Sequence, residues 1–293
     1  MGWSQGFIAV DWGTSNRRAY RIDAAGRNCA EFEDDKGVLS VGDGGFPAAI
    51  GEIRERLGDL PLLLAGMIGS SRGWKEAPYV ASPAGLDEIA KALVWAGERE
   101  AIVPGVSFVG GGRADVMRGE EVQLLGAVAA GLIEPHGLVC HPGTHNKWAI
   151  MRDGRIEEFR TVMTGELFAL LKEHSILSDL LGAPVEVNDA FRAAARHGLS
   201  NQAVAAELFG VRARILLGLA APEEAAAYIS GLLIGADVRT GLAGSTPGRV
   251  AVMGRPELTR LYAAAISEAG GEPFELDGEE CFLAGAIKIA ERI

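Results

Sequence analysis

The sequence predicts an α/β chain built as two similar domains. Two observations carry that expectation. Apolar runs of strand length alternate with segments of helical spacing along the chain. The opening strand–turn–strand–turn–strand pattern also returns about 130 residues later. Composition agrees: 48% hydrophobic and 23% charged residues over 293 positions supply the core of one large or two ordinary domains.

Phe7–Asp11 reads as a short strand, Trp12–Asn16 as a turn, and Arg18–Ile22 as an alternating strand. Ala24–Gly26 is a second turn and Asn28–Glu33 a third strand. Phe46–Leu57 has helical spacing, with Phe46, Ala49, Ile50, Ile53 and Leu57 on one side. Leu60–Ala65 is continuously apolar, as a strand covered on both faces would be. Leu86–Trp95 is expected as a helix, Ala101–Val109 as a strand, and Arg118–Gly131 as a helix with Val122, Leu125 and Ala129 inward.

The pattern then restarts with a strand at Leu138–His141, a turn at Pro142–Asn146 and a strand at Lys147–Arg152. A turn at Asp153-Gly154 and a strand at Arg155–Thr161 complete it. Gly13, Thr14, Asn16, Ala19 and Asp23 align without a gap on Gly143, Thr144, Asn146, Ala149 and Asp153, and Arg17 meets Lys147. Helices follow at Gly165–Leu171, Asn188–Arg196, Gln202–Leu219 and Ala225–Gly241. Arg249–Met253 is a strand, and Pro256–Ala269 and Glu279–Glu291 are helices. Pro256 suits a first helical turn. The boundary falls near Glu134–Gly137, giving domains of residues 1–134 and 135–293.

Charge and cysteine usage exclude several classes. Lys+Arg is 28 against Asp+Glu 39, a net charge of −11, which disfavours nucleic acid as a partner. Cys29, Cys140 and Cys281 are far apart with no C-x-x-C, as expected of reduced thiols in a cytoplasmic protein. Met1–Phe7 has no basic n-region, and no apolar run reaches about 18 residues, so neither a signal peptide nor a membrane span is expected. P-loop and Rossmann glycine motifs are absent.

Chemistry concentrates in a few segments. Two hairpin turns are rich in Gly, Thr and Asn and are each followed by a base. Gly13 and Gly143 let backbone approach a phosphate, Thr14, Asn16, Thr144 and Asn146 supply donors, and Arg17 and Lys147 supply charge. Either turn could also be an ordinary hairpin. Asp11, at a strand end beside the first turn, suits a hydrated Mg²⁺. His141 and His145 have metal-pair spacing, but Pro142-Gly143 forbids the helix such a pair needs, so His145 reads as a further phosphate donor.

Gly69-Ser-Ser71-Arg-Gly73 matches the nucleophile elbow of hydrolases, although Pro78 works against the helix that must follow. The better reading is a substrate loop. Its glycines give reach, Arg72 and Lys75 meet anions, Trp74 and Tyr79 form walls, and Ser71 and Glu76 are further substrate contacts. A surface loop with a buried Trp74 is the plainer alternative. Asp115 follows Gly110-Gly-Gly-Arg-Ala in an expected strand–loop–helix, where it is a candidate general base or a helix cap. Glu120 and Glu121 open the next helix. Gly254-Arg255 joins a late strand to a helix and is a candidate wall for adenine.

These segments resemble the actin-like superfamily of ATPases and sugar kinases and, within it, the 2-dehydro-3-deoxygalactonokinase family. The resemblance rests on Ala9–Asn16, Gly66–Trp74 through Pro78-Tyr79, Asp115–Glu121, His141–Trp148 and Thr164–Phe168. It implies two ribonuclease-H-like domains of the actin-like ATPase and sugar-kinase fold, with an ATP cleft between them. The first would carry the first phosphate turn, the sugar-acid loop and the catalytic Asp; the second would carry the second phosphate turn and the adenosine site. It implies Mg²⁺- and ATP-dependent phosphorylation of 2-dehydro-3-deoxy-D-galactonate at its terminal (6-) hydroxyl, in galactonate catabolism. By order along the chain, Asp115 falls where related hexokinase-like enzymes carry their catalytic Asp. Gly254-Arg255 departs from related sugar kinases in lacking a second glycine. A kinase of another small sugar or sugar acid, an actin-like ATPase coupled to a partner, and a serine hydrolase using Ser71 are the alternatives. The sequence leaves homo-oligomer formation open.

Overall fold

A computed structural model gives the structure of residues 3, 5–42, 44–201, 203–244 and 248–293. In chain order the first half runs β1 (Phe7–Trp12), β2 (Arg17–Ile22), β3 (Asn28–Asp34), α1 (Phe46–Leu57), β4 (Leu62–Gly66), β5 (Val80–Ala81), α2 (Leu86–Lys91), β6 (Val94–Trp95), β7 (Glu100–Ile102), β8 (Val106–Gly110), β9 (Arg113–Met117) and α3 (Glu120–Ala129). The second runs β10 (Gly137–His141), β11 (Asn146–Arg152), β12 (Arg155–Val162), α4 (Thr164–His174), α5 (Asp189–Ser200), α6 (Val204–Leu216), α7 (Ala225–Gly241), β13 (Arg249–Gly254), α8 (Pro256–Glu268), β14 (Glu272–Asp277) and α9 (Gly278–Ala290).

The chain divides into two compact units. One holds the chain up to His136 together with Met151–Glu158 and Gly278–Ile293; the other holds Gly137–Ile150 and Phe159–Asp277. The first therefore takes in α9 and the β11–β12 hairpin tip, which a single cut at Glu134 would assign to the second domain.

In the first unit the main sheet has the order β3-β2-β1-β4-β7-β6. β1 pairs antiparallel with β2 and parallel with β4, and β4 pairs parallel with β7. β4 is buried along its whole length and β1 nearly so, as their unbroken apolar runs require. β3 lies at the edge, mostly exposed and rich in acids, which blunts it against further pairing. α1 buries Phe46, Ala49, Ile50, Ile53 and Leu57, as its spacing predicts, on a core of Ile8, Val10, Trp12, Leu62 and Leu64. Each of the larger aliphatic side chains contributes roughly 1.5–3 kcal/mol. α3 and α9 cross at Gly126 and Gly285; a Cβ on Gly126 would lie 2.5 Å from the Gly285 nitrogen, so only glycine permits the crossing.

The sheet of the second unit has the order β12-β11-β10-β13-β14, with β10, β13 and β14 parallel. That is the same permutation as β3-β2-β1-β4-β7, so the repeated turn pattern reflects a repeated sheet. Cys140, Trp148, Phe191, Val238, Val252 and Tyr262 form its core.

Several expectations are corrected. Ala101–Val109 is two strands, because Pro104 between them lacks the N–H that a continuous ladder needs. Leu86–Trp95 is helical only to Lys91, and Val94-Trp95 turns back to pair with β7. Ala129 is exposed, while Leu124 is buried. β9 and β14 were not expected. Gln202, where a helix was expected to begin, lies outside the described residues, as do Met1 and Gly2; α6 begins at Val204. Among the described residues no helix is long and apolar enough to cross a membrane, and all three cysteines are free.

Candidate active site

The first turn is held from below. The amide of Gly13 donates to the Asn16 carbonyl (2.9 Å), and the amides of Gly37, Val38 and Leu39 donate to the carbonyls of Ser15, Gly13 and Thr14. A Cβ on Gly37 would meet Thr14 O at 2.3 Å, so the approach needs glycine there. Thr14 and Asn16 face solvent, and Asn16 Nδ2 reaches Glu33 Oε1 at 3.5 Å. Asp11, half-buried at the end of β1, lies beside Gly66 at the end of β4.

Arg17 does not join this group. It is fully buried, donates from Nε and Nη2 to Asp34 (3.2 and 2.7 Å) and from Nη1 to the Ala49 carbonyl, and packs on the rings of Trp12 and Phe32. Strand alternation explains it: Arg17 starts β2 on the core side. Lys147, its counterpart in the repeat, is likewise buried, and its Nζ lies 3.4 Å from the His145 carbonyl. The expectation that these two bases face phosphate is corrected.

β4 ends at Gly66 (φ 88°), and a 3-10 turn at Met67–Gly69 leads into the expected substrate loop. Thr14, Val38, Leu39, Met67, Ser70, Ser71 and Arg72 line one cavity of about 210 Å³. The structure thus brings the first turn and the loop's Ser71 and Arg72 together. Arg72 and Ser71 are exposed. No helix opens at Ser71, so the elbow geometry of a serine hydrolase is not formed.

The rest of the loop is more structural. Trp74 stacks on Phe46 at 6.4 Å and, half-buried, packs against the core of the unit. Lys75 Nζ donates to the Trp95 carbonyl (2.6 Å). Glu76 is exposed. Tyr79 lies under the Arg118 guanidinium, 4.4 Å from its ring centre.

Asp115 is not in a loop. It sits on β9, opposite Phe108 on β8, half-buried, and its Oδ1 accepts from the Val116 amide at 2.8 Å. Gly111 and Gly112, both with positive φ, turn the hairpin that the sequence presented as a loop. Glu121 stands out at the start of α3. It is fully buried, its Oε2 accepts from the Gly119 amide (2.7 Å), and its Oε1 has no partner among the described residues. Burial, with the charge of Glu120 beside it, pushes its carboxyl up to about 8. The neighbouring Arg118 gives Nη2 to the Ala77 carbonyl (2.7 Å), while its Nε and Nη1 have no partner among the described residues.

In the second unit, Thr144 and His145 are exposed and Gly143 is half-buried, but Asn146 is fully buried. Asn146 Nδ2 donates to both oxygens of Asp237, each at 3.1 Å, so its expected role as a phosphate donor is corrected. Asp237 also accepts from Trp148 Nε1 (2.7 Å), Thr164 Oγ1 (2.5 Å) and Tyr262 OH (2.6 Å). Burial raises the Asp237 carboxyl above its usual range, although all four donors pull the other way. The sequence signal was a lone acid in the otherwise apolar run of α7.

α4 seats its N-terminus against the turn. The Glu166 amide donates to the Thr144 carbonyl (3.0 Å), the Glu166 carboxylate engages His145 Nε2, and a Cβ on Gly165 would meet Gly143 O at 2.5 Å. Beside it is an apolar cavity of about 140 Å³, lined among others by Gly143, Gly165, Phe168, Leu258 and Tyr262. Gly254 (φ 151°) ends β13 near Pro142, and Arg255 caps α8 and is exposed. Among the described residues no group of three or more His, Cys, Asp or Glu could hold a metal ion. Asp11, a half-buried carboxylate, fits Mg²⁺ as a hydrated ion shared with phosphate oxygens.

Comparison with known proteins agrees in both sequence and fold. The family model described as 2-keto-3-deoxy-galactonokinase matches residues 11–289. The chain is 37% identical over 295 residues to the 2-dehydro-3-deoxygalactonokinase of Escherichia coli (strain K12), covering 98% of each. It is 38% identical over 298 residues to a protein of Rhizobium meliloti (strain 1021) named as a probable 2-dehydro-3-deoxygalactonokinase, covering 98% of this chain and 97% of that one. A solved structure from Sinorhizobium meliloti, provisionally named a 2-dehydro-3-deoxygalactonokinase protein, superposes with a TM-score of 0.91 at 37% identity, over 97% of this chain and 98% of that one. The component A of (R)-2-hydroxyglutaryl-CoA dehydratase from Acidaminococcus fermentans shares the fold alone, with a TM-score of 0.53 at 13% identity over 98% of each chain.

Proposed function

The chain is a kinase of the 2-keto-3-deoxy-galactonokinase family, and on that premise we propose that it transfers the γ-phosphoryl group of ATP to the terminal (6-) hydroxyl of 2-dehydro-3-deoxy-D-galactonate. The reaction belongs to galactonate catabolism in the cytoplasm, and the three free thiols suit that compartment. Both units are read as ribonuclease-H-like domains, supported by the shared strand permutation of their sheets.

The observation that carries the reading within the site is the cavity that joins Thr14 to Ser71 and Arg72. A keto-deoxy sugar acid has a carboxylate at one end and the accepting hydroxyl at the other. A planar guanidinium on the loop grips the carboxylate by two parallel hydrogen bonds and fixes which end faces ATP. Asp115 accepts the hydroxyl proton as the oxygen attacks phosphorus. The first turn contributes Gly13, Thr14 and Asn16 to the phosphates, and the second contributes Gly143, Thr144 and His145. The apolar cavity beside Gly165 and Leu258 takes the adenosine, with Gly254 and Arg255 at its margin. Asp11 would hold hydrated Mg²⁺, which neutralises phosphate charge when bound. The remaining catalysis is positioning and exclusion of water.

A coupled ADP-release assay across aldonic and 2-keto-3-deoxy acids tests the reading. ADP formation that depends on 2-dehydro-3-deoxy-D-galactonate is expected. Equal ADP release without any sugar acid favours an ATPase, and preference for another acid moves the substrate.

A further inference from the structure

Asp237 is a buried carboxylate of the second unit that gathers four side-chain donors, and nothing in the reaction above uses it. Its carboxylate is 1% exposed on α7 and accepts four side-chain donors. These donors are spread along the chain: Asn146 ends the second turn, Trp148 follows on β11, Thr164 begins α4, and Tyr262 lies on α8. Asn146 and Thr164 flank the turn from both sides. Residues next to Thr164 complete the contact, with Gly165 packed on Gly143 and the Glu166 amide bonded to the Thr144 carbonyl. Packing alone does not call for an acid here, since an apolar side chain would fill the same core without the desolvation cost.

We propose that Asp237 is a positioning residue. By tying Asn146 and Thr164 to one point, it fixes the second turn in the arrangement that presents Gly143, Thr144 and His145 to the nucleotide phosphates. The inference rests on reading that turn as part of the nucleotide site.

Hydrogen-bond chemistry sets the test. The Asn146 and Trp148 groups are N–H donors and cannot reverse, whereas the Thr164 and Tyr262 hydroxyls can turn and accept. Asp237→Asn can place its oxygen toward the two N–H groups and its amide toward the two hydroxyls, so it should preserve the network. Asp237→Ala takes away the carboxylate on which all four donors converge. The experiment measures KM for ATP and for the sugar acid, and ATP binding by calorimetry without sugar acid, on full-length protein checked by circular dichroism. Asp237→Ala should raise the ATP KM and weaken ATP binding about tenfold or more, leave the sugar-acid KM within about twofold, and be largely rescued by Asn. An ATP KM within about twofold of the parent, or both KM values rising alike, overturns the proposal. If Asp237→Ala does not fold, Asn146→Ala carries the test: an ATP-specific rise supports it, and an unchanged ATP KM overturns it. A parent that binds ATP but phosphorylates no keto-deoxy acid refutes the functional reading alone, because the calorimetric comparison still decides the role of Asp237.

Discussion

Arg17 Nη2 lies 2.7 Å from Asp34 Oδ2, with the guanidinium fully buried and the carboxylate largely so. Burial pushes the Asp34 carboxyl up, but hydrogen bonds and charge from Arg17, aided by the Lys36 amide and Arg56, outweigh it and hold the carboxyl below its usual range. Removing Arg17 takes away the closest cation of a largely buried carboxylate, leaving it Arg56 at 3.4 Å and the Lys36 amide. Arg17→Ala should therefore cost on the order of 3–5 kcal/mol of stability. The contribution of the pair is present above the ordinary carboxylate range and is lost as pH falls through the lowered Asp34 value. Urea melts of parent and variant should thus converge in acid. Equal midpoints near pH 7 would show that the pair adds nothing.

Glu121 has the opposite sign. Its folded-state carboxyl, pushed up to about 8, keeps a proton that the unfolded chain releases at the usual 4.5. Folded protein binds more protons between those values, so this contribution is full below the unfolded value and is lost as pH rises toward 8. Glu121→Gln mimics the protonated form and should remove that slope, gaining up to a few kcal/mol over the parent near pH 9. Parallel stability–pH curves for the two proteins would sink this account.

Arg72→Lys tests the carboxylate grip. Lys cannot reproduce the fork, so the sugar-acid KM should rise roughly ten- to hundredfold while the ATP KM changes little. A sugar-acid KM within about twofold of the parent places the grip elsewhere.

Asp115→Asn keeps the size of the side chain and removes the base. Turnover should fall by roughly 10²–10⁴ with ATP binding retained. Turnover within a few-fold of the parent would take Asp115, mid-strand on β9, out of the chemistry.

Local pattern carried most of the elements. α1 matches its expected span and buried face residue for residue, because a one-sided helix writes its packing into its spacing. α7 also matches its expected span. β8–β9 was hidden because its Gly-rich turn looked like an extended loop, and β14 because Pro273 and flanking acids masked its alternation.

The sequence by itself determined the repeated α/β plan, the two glycine turns and the family. These depend on period, turn chemistry and short motifs, which are local properties. Only the tertiary structure decided which polar groups face a ligand and which face the core. Arg17, Asn146 and Lys147 looked like phosphate donors beside their turns, yet all three are buried. The side of a strand on which a residue falls depends on register, and its partner can lie 91 positions away, as Asp237 does from Asn146. A charge or amide near a glycine turn therefore reads the same in sequence whether it will meet a phosphate or a buried carboxylate. What separates the two is tertiary packing, of β3 and α1 around Arg17 and of α4, α7 and α8 around Asn146.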